Sequence, residues 1–302
     1  MKNGSRPSSN LAAASAMTMT MTDPREIIKQ IDDFPPVPNV VNQILAAAED
    51  PKSSMSTVSN IITYDPVMTA NLLKVCNSAY YGLSKEINSI HEATVLLGLD
   101  KIVEICLFRC AFENLKKAQH GYNLAEGQLV KQSISAALIT KNIAERLKLA
   151  NKHLLFTASL LKDIGKLIME RYVAQSIEEI NHLVTKEQMS FSQAEKTVLG
   201  IDHEGLGGMM MERWGFSPKM SFIIANHHLQ APQARQDIET SIVYLAEAIC
   251  MLMGVCAESD VCAYNYYDDA VALLHISEGD IDRLIISFLE NRDKVEALLK
   301  HI

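Results

Sequence analysis

The chain has 302 residues, 48% of them hydrophobic and 21% charged, which is enough for one large domain or two smaller ones with their own cores. A formal net charge of −8 and a pI near 5.6 argue against broad nucleic-acid or anionic-membrane binding, and no apolar run reaches the roughly 20 residues of a membrane-spanning helix. The six cysteines (Cys76, Cys106, Cys110, Cys250, Cys256 and Cys262) form no close C-x-x-C pair, so a reducing cytoplasm is the simplest compartment and buried packing their simplest role.

Residues 1–22 read as a disordered leader or a start-site ambiguity rather than an export signal, because the apolar stretch Leu11 to Ala16 is short and broken. Nearly every segment after Asp23 carries a helical period. Asp23-Pro24 supplies an N-cap and a first-turn proline, opening a helix to about Asp32. Phe34-Pro35-Pro36-Val37-Pro38 breaks it, and Val40, Val41, Ile44 and Leu45 form the apolar stripe of the next. Ser54 or Ser56 caps a helix to Tyr64, and Asp65-Pro66 repeats the cap-then-proline arrangement before Met68, Leu72, Leu73 and Val75. That helix runs out between Asn77 and Gly82. Ser89 with Glu92 makes a capping box for Ala93 to Leu97, and Asp100 caps a helix to about Lys117.

Gln119 to Asn123, with Gly121 inside it, is the best candidate for a domain boundary. Beyond it helices are predicted over 124–147, in the segment leading into Lys162, and around 173–187, 192–198, 202–214, 217–229 and 237–254. The acidic tail adds one or two more. No strand alternation and no fixed repeat appear, so the predicted fold class is all-α.

Two blocks of motifs resemble the HDOD domain, an HD-related output domain of bacterial signalling proteins. The first runs from Phe34-Pro35-Pro36-Val37-Pro38 through Ile62 to Pro66, Lys74 to Gly82 and Ala93 to Gly98. The second is Leu160-Leu161-Lys162-Asp163-Ile164-Gly165-Lys166, then Leu199 to His203, Trp214 to Pro218 and Asn226-His227-His228. The resemblance implies a multi-helical fold in which a front bundle, residues 23–120, packs on a degraded HD-like bundle, residues 121–255. Residues 256–302 would then form a C-terminal helical extension.

An HD phosphohydrolase holds metal with His, a His-Asp pair and a later Asp; the metal activates a water and neutralises phosphate charge. On that pattern Gln132 stands at the first His, Lys162 replaces the His of the pair, Asp163 survives, and Glu247 best matches the final Asp. A lysine near its ordinary pKa is a cation without a lone pair for a metal. His203 and the His227-His228 pair resemble the extra ligands of two-metal members. Adjacent helical residues diverge by about 100°, so one of His227 and His228 is expected to face the pocket.

Two arrangements follow. In one, Gln132, Lys162, Asp163 and Glu247 line a semi-buried polar pocket without metal, with the Lys162 ammonium between Asp163 and Glu247 where the metal once lay. In the other, Asp163, His203, His227 or His228, and Glu247 hold a single divalent transition metal. The favoured reading is a non-catalytic, cytoplasmic regulatory module that binds other signalling proteins, without nucleic acid, membrane insertion or cofactor. Self-association is left open. The alternatives are a metal-dependent phosphohydrolase with a rearranged ligand set and a nucleotide-sensing module. Met209-Met210-Met211 and Trp214 read as core packing, Gly207 and Gly208 as sites of close helix approach, and His91, His120, His153, His182, His275 and His301 as isolated, solvent-facing or capping.

Overall fold

Capping residues set the helix starts. In the computed structural model, which describes residues 23–34, 39–50, 52–78, 81, 85–255 and 267–290, Asp23 accepts from Arg25 N and opens α1 (Pro24–Asp33). After α2 (Asn39–Glu49), Ser54 and Thr57 form a capping box for α3 (Met55–Thr63). Asp65 caps α4 (Pro66–Cys76), and Ser89 caps α5 (Ile90–Leu97). Asp100 does not cap the next helix: α6 (Leu99–Leu115) already contains it in the first turn, and its carboxylate instead pairs with Lys152 and His153. His153 is accordingly buried rather than solvent-facing.

The predicted 124–147 helix starts later, as α7 (Gln128–Arg146). Leu124 and Gln119 pair in an isolated antiparallel bridge, and Gly127 at φ 78° turns the chain into the helix. Between the bridge residues, a 3-10 turn (His120–Tyr122) buries Gly121 and Tyr122 on the back bundle while His120 stays exposed, with Gly121 N donating to Glu170 Oε2 at 2.9 Å. A Cβ at Gly121 would overlap the backbone at Glu170 and Ala174.

The back bundle continues with α8 (Lys152–Leu161), α9 (Lys166–Lys186), α10 (Phe191–Leu199), α11 (His203–Arg213), α12 (Pro218–Ala225) and α13 (Ile238–Leu252). Beyond it lie α14 (Asp268–Leu273) and α15 (Glu278–Glu290). α9 begins seven positions before the predicted start, because the buried stripe Ile168, Met169, Tyr172 and Val173 extends the helix back to Gly165. α7 packs on α8 and α13, and α11 on α12; Gly207 and Gly208 face Ile224 and Ala225 closely across that second contact.

Front and back meet through α6 and α2 on α8, and α1 on α9. Phe34 stacks on Trp214 at 6.2 Å, and Asn42 donates to the Trp214 carbonyl at 3.1 Å. A single large apolar core spans both bundles, including Met210 and Met211, whereas Met209 is exposed. Cys76, Cys106 and Cys250 are buried. No strand occurs among the described residues, and no described helix is long and apolar enough to cross a membrane. The predicted break at 35–38, Tyr80, Cys256, Cys262 and His301 lie outside the described residues, and so does the side chain of Cys110.

Candidate functional site

Four stretches of chain bring the site together: the turn from α8 into α9, the start of α11, the turn after α12, and the middle of α13. Lys162 and Asp163 sit in the first, where Ile164 N bonds back to Leu161 O and Lys166 N to Asp163 O. Gly165 presses this turn onto α11; a Cβ there would overlap the His203 carbonyl oxygen and lie 3.0 Å from Gly207 N. The backbone carrying Asp163 therefore meets the helix carrying His203 without an intervening side chain.

Lys162 is fully buried, and its ammonium donates to Asp163 Oδ2 and to Glu247 Oε1 on α13. Lys166 Nζ, also buried, lies 3.0 Å from Asp163 Oδ1 and 5.4 Å from the centre of the Tyr122 ring. Burial alone would push the Lys162 ammonium toward neutrality, but the two carboxylates outweigh it and hold its pKa above the ordinary lysine value. Burial likewise disfavours the Asp163 carboxylate, yet Lys162 and Lys166 keep its pKa well below the usual range. At Glu247 burial wins, and the pKa stands above the ordinary value despite Lys162. Gln132 is buried on α7, the helix that packs against both α8 and α13.

The histidines form a second group beside this cation. Asp202 caps α11, so His203 enters the site from the first turn, with its ring edge against Tyr122. Its Nδ1 donates to Glu195 Oε2 at 2.6 Å, and Glu195 also accepts from the His203 backbone N–H and from the Tyr122 hydroxyl at 2.6 Å. Burial lowers the His203 pKa, but Glu195 more than reverses this and raises it to about 9.

His227 and His228 both face the site, against the expectation that only one would. The predicted 217–229 helix ends at Ala225, so the pair lies in a turn where the 100° rule does not apply. His227 Nδ1 is 2.8 Å from the Ile224 carbonyl, an acceptor only, so the proton is on Nδ1 and the Nε2 lone pair faces the cluster. That Nε2 is buried without a hydrogen-bond partner among the described residues, 3.9 Å from Asp163 Oδ1. His228 Nε2 lies 3.2 Å from His203 Nε2, and its Nδ1 lies 3.4 Å from Glu247 Oε2. Burial and the neighbouring cations hold both imidazoles well below the ordinary histidine pKa, hence neutral.

Each of the three histidines can offer one ring nitrogen, and the three atoms fall within 4.8 Å of one another. Asp163 Oδ1 is 3.7 Å from His203 Nε2. Glu195, the Ile224 carbonyl and Glu247 stand behind the opposite ring nitrogens, the arrangement that orients ligating imidazoles. This donor set fits one divalent transition metal.

Glu195, Lys166, Tyr122 and Glu204 escaped the sequence reading. Glu204 accepts from His228 N at 2.9 Å, Ser192 Oγ at 2.7 Å and Gln230 Nε2 at 2.8 Å; burial raises its pKa to about 7. Lys166 was the most accessible of these, since it stands three positions after Asp163 within the same motif.

The sequence profile described as the HDOD domain matches residues 34–230, more than half of the chain. An HDOD domain protein of unknown function from Geobacter sulfurreducens has a solved structure that is 25% identical, with a TM-score of 0.72 over 91% of this chain and 95% of that one. A candidate signal transduction protein from Marinobacter aquaeolei VT8 is 19% identical, with a TM-score of 0.72 over 92% of this chain and 64% of that one. An uncharacterised protein of Treponema pallidum (strain Nichols) is 21% identical over 239 residues; the match takes in 78% of this chain and 46% of the relative, so the chain spans about half the length of that relative. The motif order, the helical architecture and the profile agree, and the chain belongs to the HDOD domain family.

Proposed function

We propose that this chain is a regulatory module that acts by binding another protein, and that its HD-derived pocket has lost phosphodiester hydrolysis. The observation that carries this is the Lys162 ammonium between Asp163 and Glu247. A divalent ion placed on those carboxylates would meet a fixed positive charge at hydrogen-bond distance, and the lysine supplies no lone pair in return. Lys162 neutralises the acidic pair from within the chain, so the pocket stays closed and folded without a metal pair. The test is turnover of a chromogenic phosphodiester and of cyclic mono- and dinucleotides with manganese, iron, nickel or zinc added. No turnover above background is expected. Turnover that disappears in Asp163→Ala would overturn the reading, and affinity capture from the native host with mass spectrometry would identify the partner.

The three convergent imidazoles favour one addition to this reading, a single transition metal held by His203, His227 and His228, beside the carboxylates that Lys162 and Lys166 already neutralise. Such an ion would acidify a bound water and neutralise anionic charge. His227 presents a fixed lone pair to it, Glu195 orients His203, and Glu247 backs His228. Elemental analysis of the purified protein decides the point: about one equivalent of metal, lost in His203→Ala and His227→Ala, supports it.

A further inference from the structure

The chain beyond the matched HDOD region closes on the back of the His227–His228 turn. Leu229, the next residue, is fully buried at φ 55°, a left-handed backbone unfavourable for leucine unless its surroundings hold it. Beyond its own internal bonds to the Ile224 and Asn226 carbonyls, the turn is held from either side. On one side Glu204 accepts the His228 backbone N–H. On the other, Arg235 Nε donates to the Leu229 carbonyl at 3.0 Å.

Arg235 is in turn oriented by the C-terminal segment. Its guanidinium carbon lies 3.8 Å from the centre of the Tyr267 ring, a cation–π contact. Tyr267 is itself anchored, because its backbone N–H donates to the Tyr244 hydroxyl at 3.1 Å. Leu229, Ala234, Tyr244 and Ala270 form a small buried cluster separate from the main core. Tyr244 lies one helical turn before Glu247 on α13. The profile match ends at residue 230, so Arg235, Tyr244 and Tyr267 all lie past it.

We propose that Arg235 is a positioning residue for the His227–His228 turn, and that Tyr267 controls it, so that docking of the C-terminal segment and ligation at the histidines are coupled. The metal half of this rests on the single-metal reading; the mechanical half does not. Seating Tyr267 fixes the guanidinium, the guanidinium fixes the Leu229 carbonyl, and the turn then holds both imidazoles on the site. Coupling of this kind is reciprocal: an ion bound by the histidines must tighten the hold on Tyr267 by the same factor that Tyr267 tightens the hold on the ion.

The test compares full-length Arg235→Lys, Tyr267→Leu and Tyr267→Phe by amide hydrogen exchange and by cobalt(II) titration. Lysine keeps the charge but loses the Nε–H donor; leucine keeps apolar bulk but loses the ring face; phenylalanine keeps both ring and apolar bulk. Exchange at His228 and Leu229 is expected to accelerate in Arg235→Lys and Tyr267→Leu and to stay as in the parent in Tyr267→Phe. Cobalt affinity should fall about tenfold or more in the first two, the usual effect of disturbing groups behind metal ligands. Cobalt should in turn slow exchange at the Tyr267 amide of the parent. Unchanged exchange at His228 and Leu229, or a uniform rise that includes the α8 core, would overturn the proposal. Should the parent take up no cobalt, the single-metal reading fails while the exchange comparison still decides the coupling.

Discussion

Lys162 and Glu247, 85 positions apart, are hydrogen-bonded to each other with essentially no exposed surface on either side chain. Removing one partner of such a pair strands the other charge in the interior. Lys162→Met is therefore expected to cost about 3–5 kcal/mol of unfolding free energy, measured by urea denaturation. Glu247→Gln added to it should recover part of that loss, because the neutral amide no longer needs the ammonium. Equal losses in the single and double variants would show that the pair contributes through shape rather than charge.

His203 and Glu195 make the metal-free protein pH-sensitive. The folded imidazolium has a pKa of about 9, above the ordinary 6.5, so its stabilising contribution is complete below pH 6.5 and is lost as pH rises through 9. On the order of 3 kcal/mol should disappear across that window, because each tenfold gain in proton affinity on folding is worth about 1.4 kcal/mol. Glu195→Gln should flatten the decline, which thermal or chemical denaturation across the range would register. A ligating His203 must also release its Nε2 proton, so cobalt(II) affinity is expected to rise about tenfold per pH unit over the same range.

Gly165 lies where the turn carrying Asp163 meets α11. Its replacement by alanine forces the methyl group into the His203 carbonyl, and the two backbones must separate. Overpacking of this kind typically costs about 1–3 kcal/mol. Gly165→Ala should therefore lower the urea midpoint and shift the His203 imidazole resonances, whereas Gly127→Ala, which meets no neighbour but has φ 78°, should change stability without moving His203.

Glu104 on α6 is buried against Lys141 on α7 and accepts from Lys101 at 3.1 Å, so it fastens the front bundle to the back. Lys141 retains Glu145 at 3.6 Å as a second partner, which limits the damage when Glu104 is lost. Glu104→Ala is expected to destabilise by about 1–3 kcal/mol, the desolvation cost of an under-satisfied group. A loss confined to the front helices in hydrogen exchange would locate the effect at this joint.

Helix starts were legible because they depend on local chemistry: Asp23, Ser54, Asp65 and Ser89 each cap the helix that follows. Asp100 deceived for the same local reason, since an acid at a helix start resembles a cap until Lys152 and His153 arrive from α8. The order of motifs carried the family, and the placement of Lys162 between Asp163 and Glu247 followed from the resemblance, which matched Glu247 to the final Asp, together with the lysine's charge. The shape of the His227–His228 turn was not legible. No glycine or proline stands between Pro218 and Pro232 to mark where α12 ends, and the turn is revealed by contacts such as that of Arg235 with the Leu229 carbonyl. Glu195 was hidden in an ordinary amphipathic helix, and its distance from His203 depends on how α10 and α11 fold back on one another.

Gly165, by letting two backbones touch, also bears on how this pocket could change over evolutionary time. With the main chains fixed against each other, the geometry around Asp163 belongs to the scaffold, and the occupant between Asp163 and Glu247 is decided by one side chain at position 162. A charge carried on that side chain is translated with the protein, present from the moment of synthesis, and indifferent to scarcity or sequestration of ions in the cell. The positive charge between Asp163 and Glu247 is in that sense a genetic property and not a nutritional one.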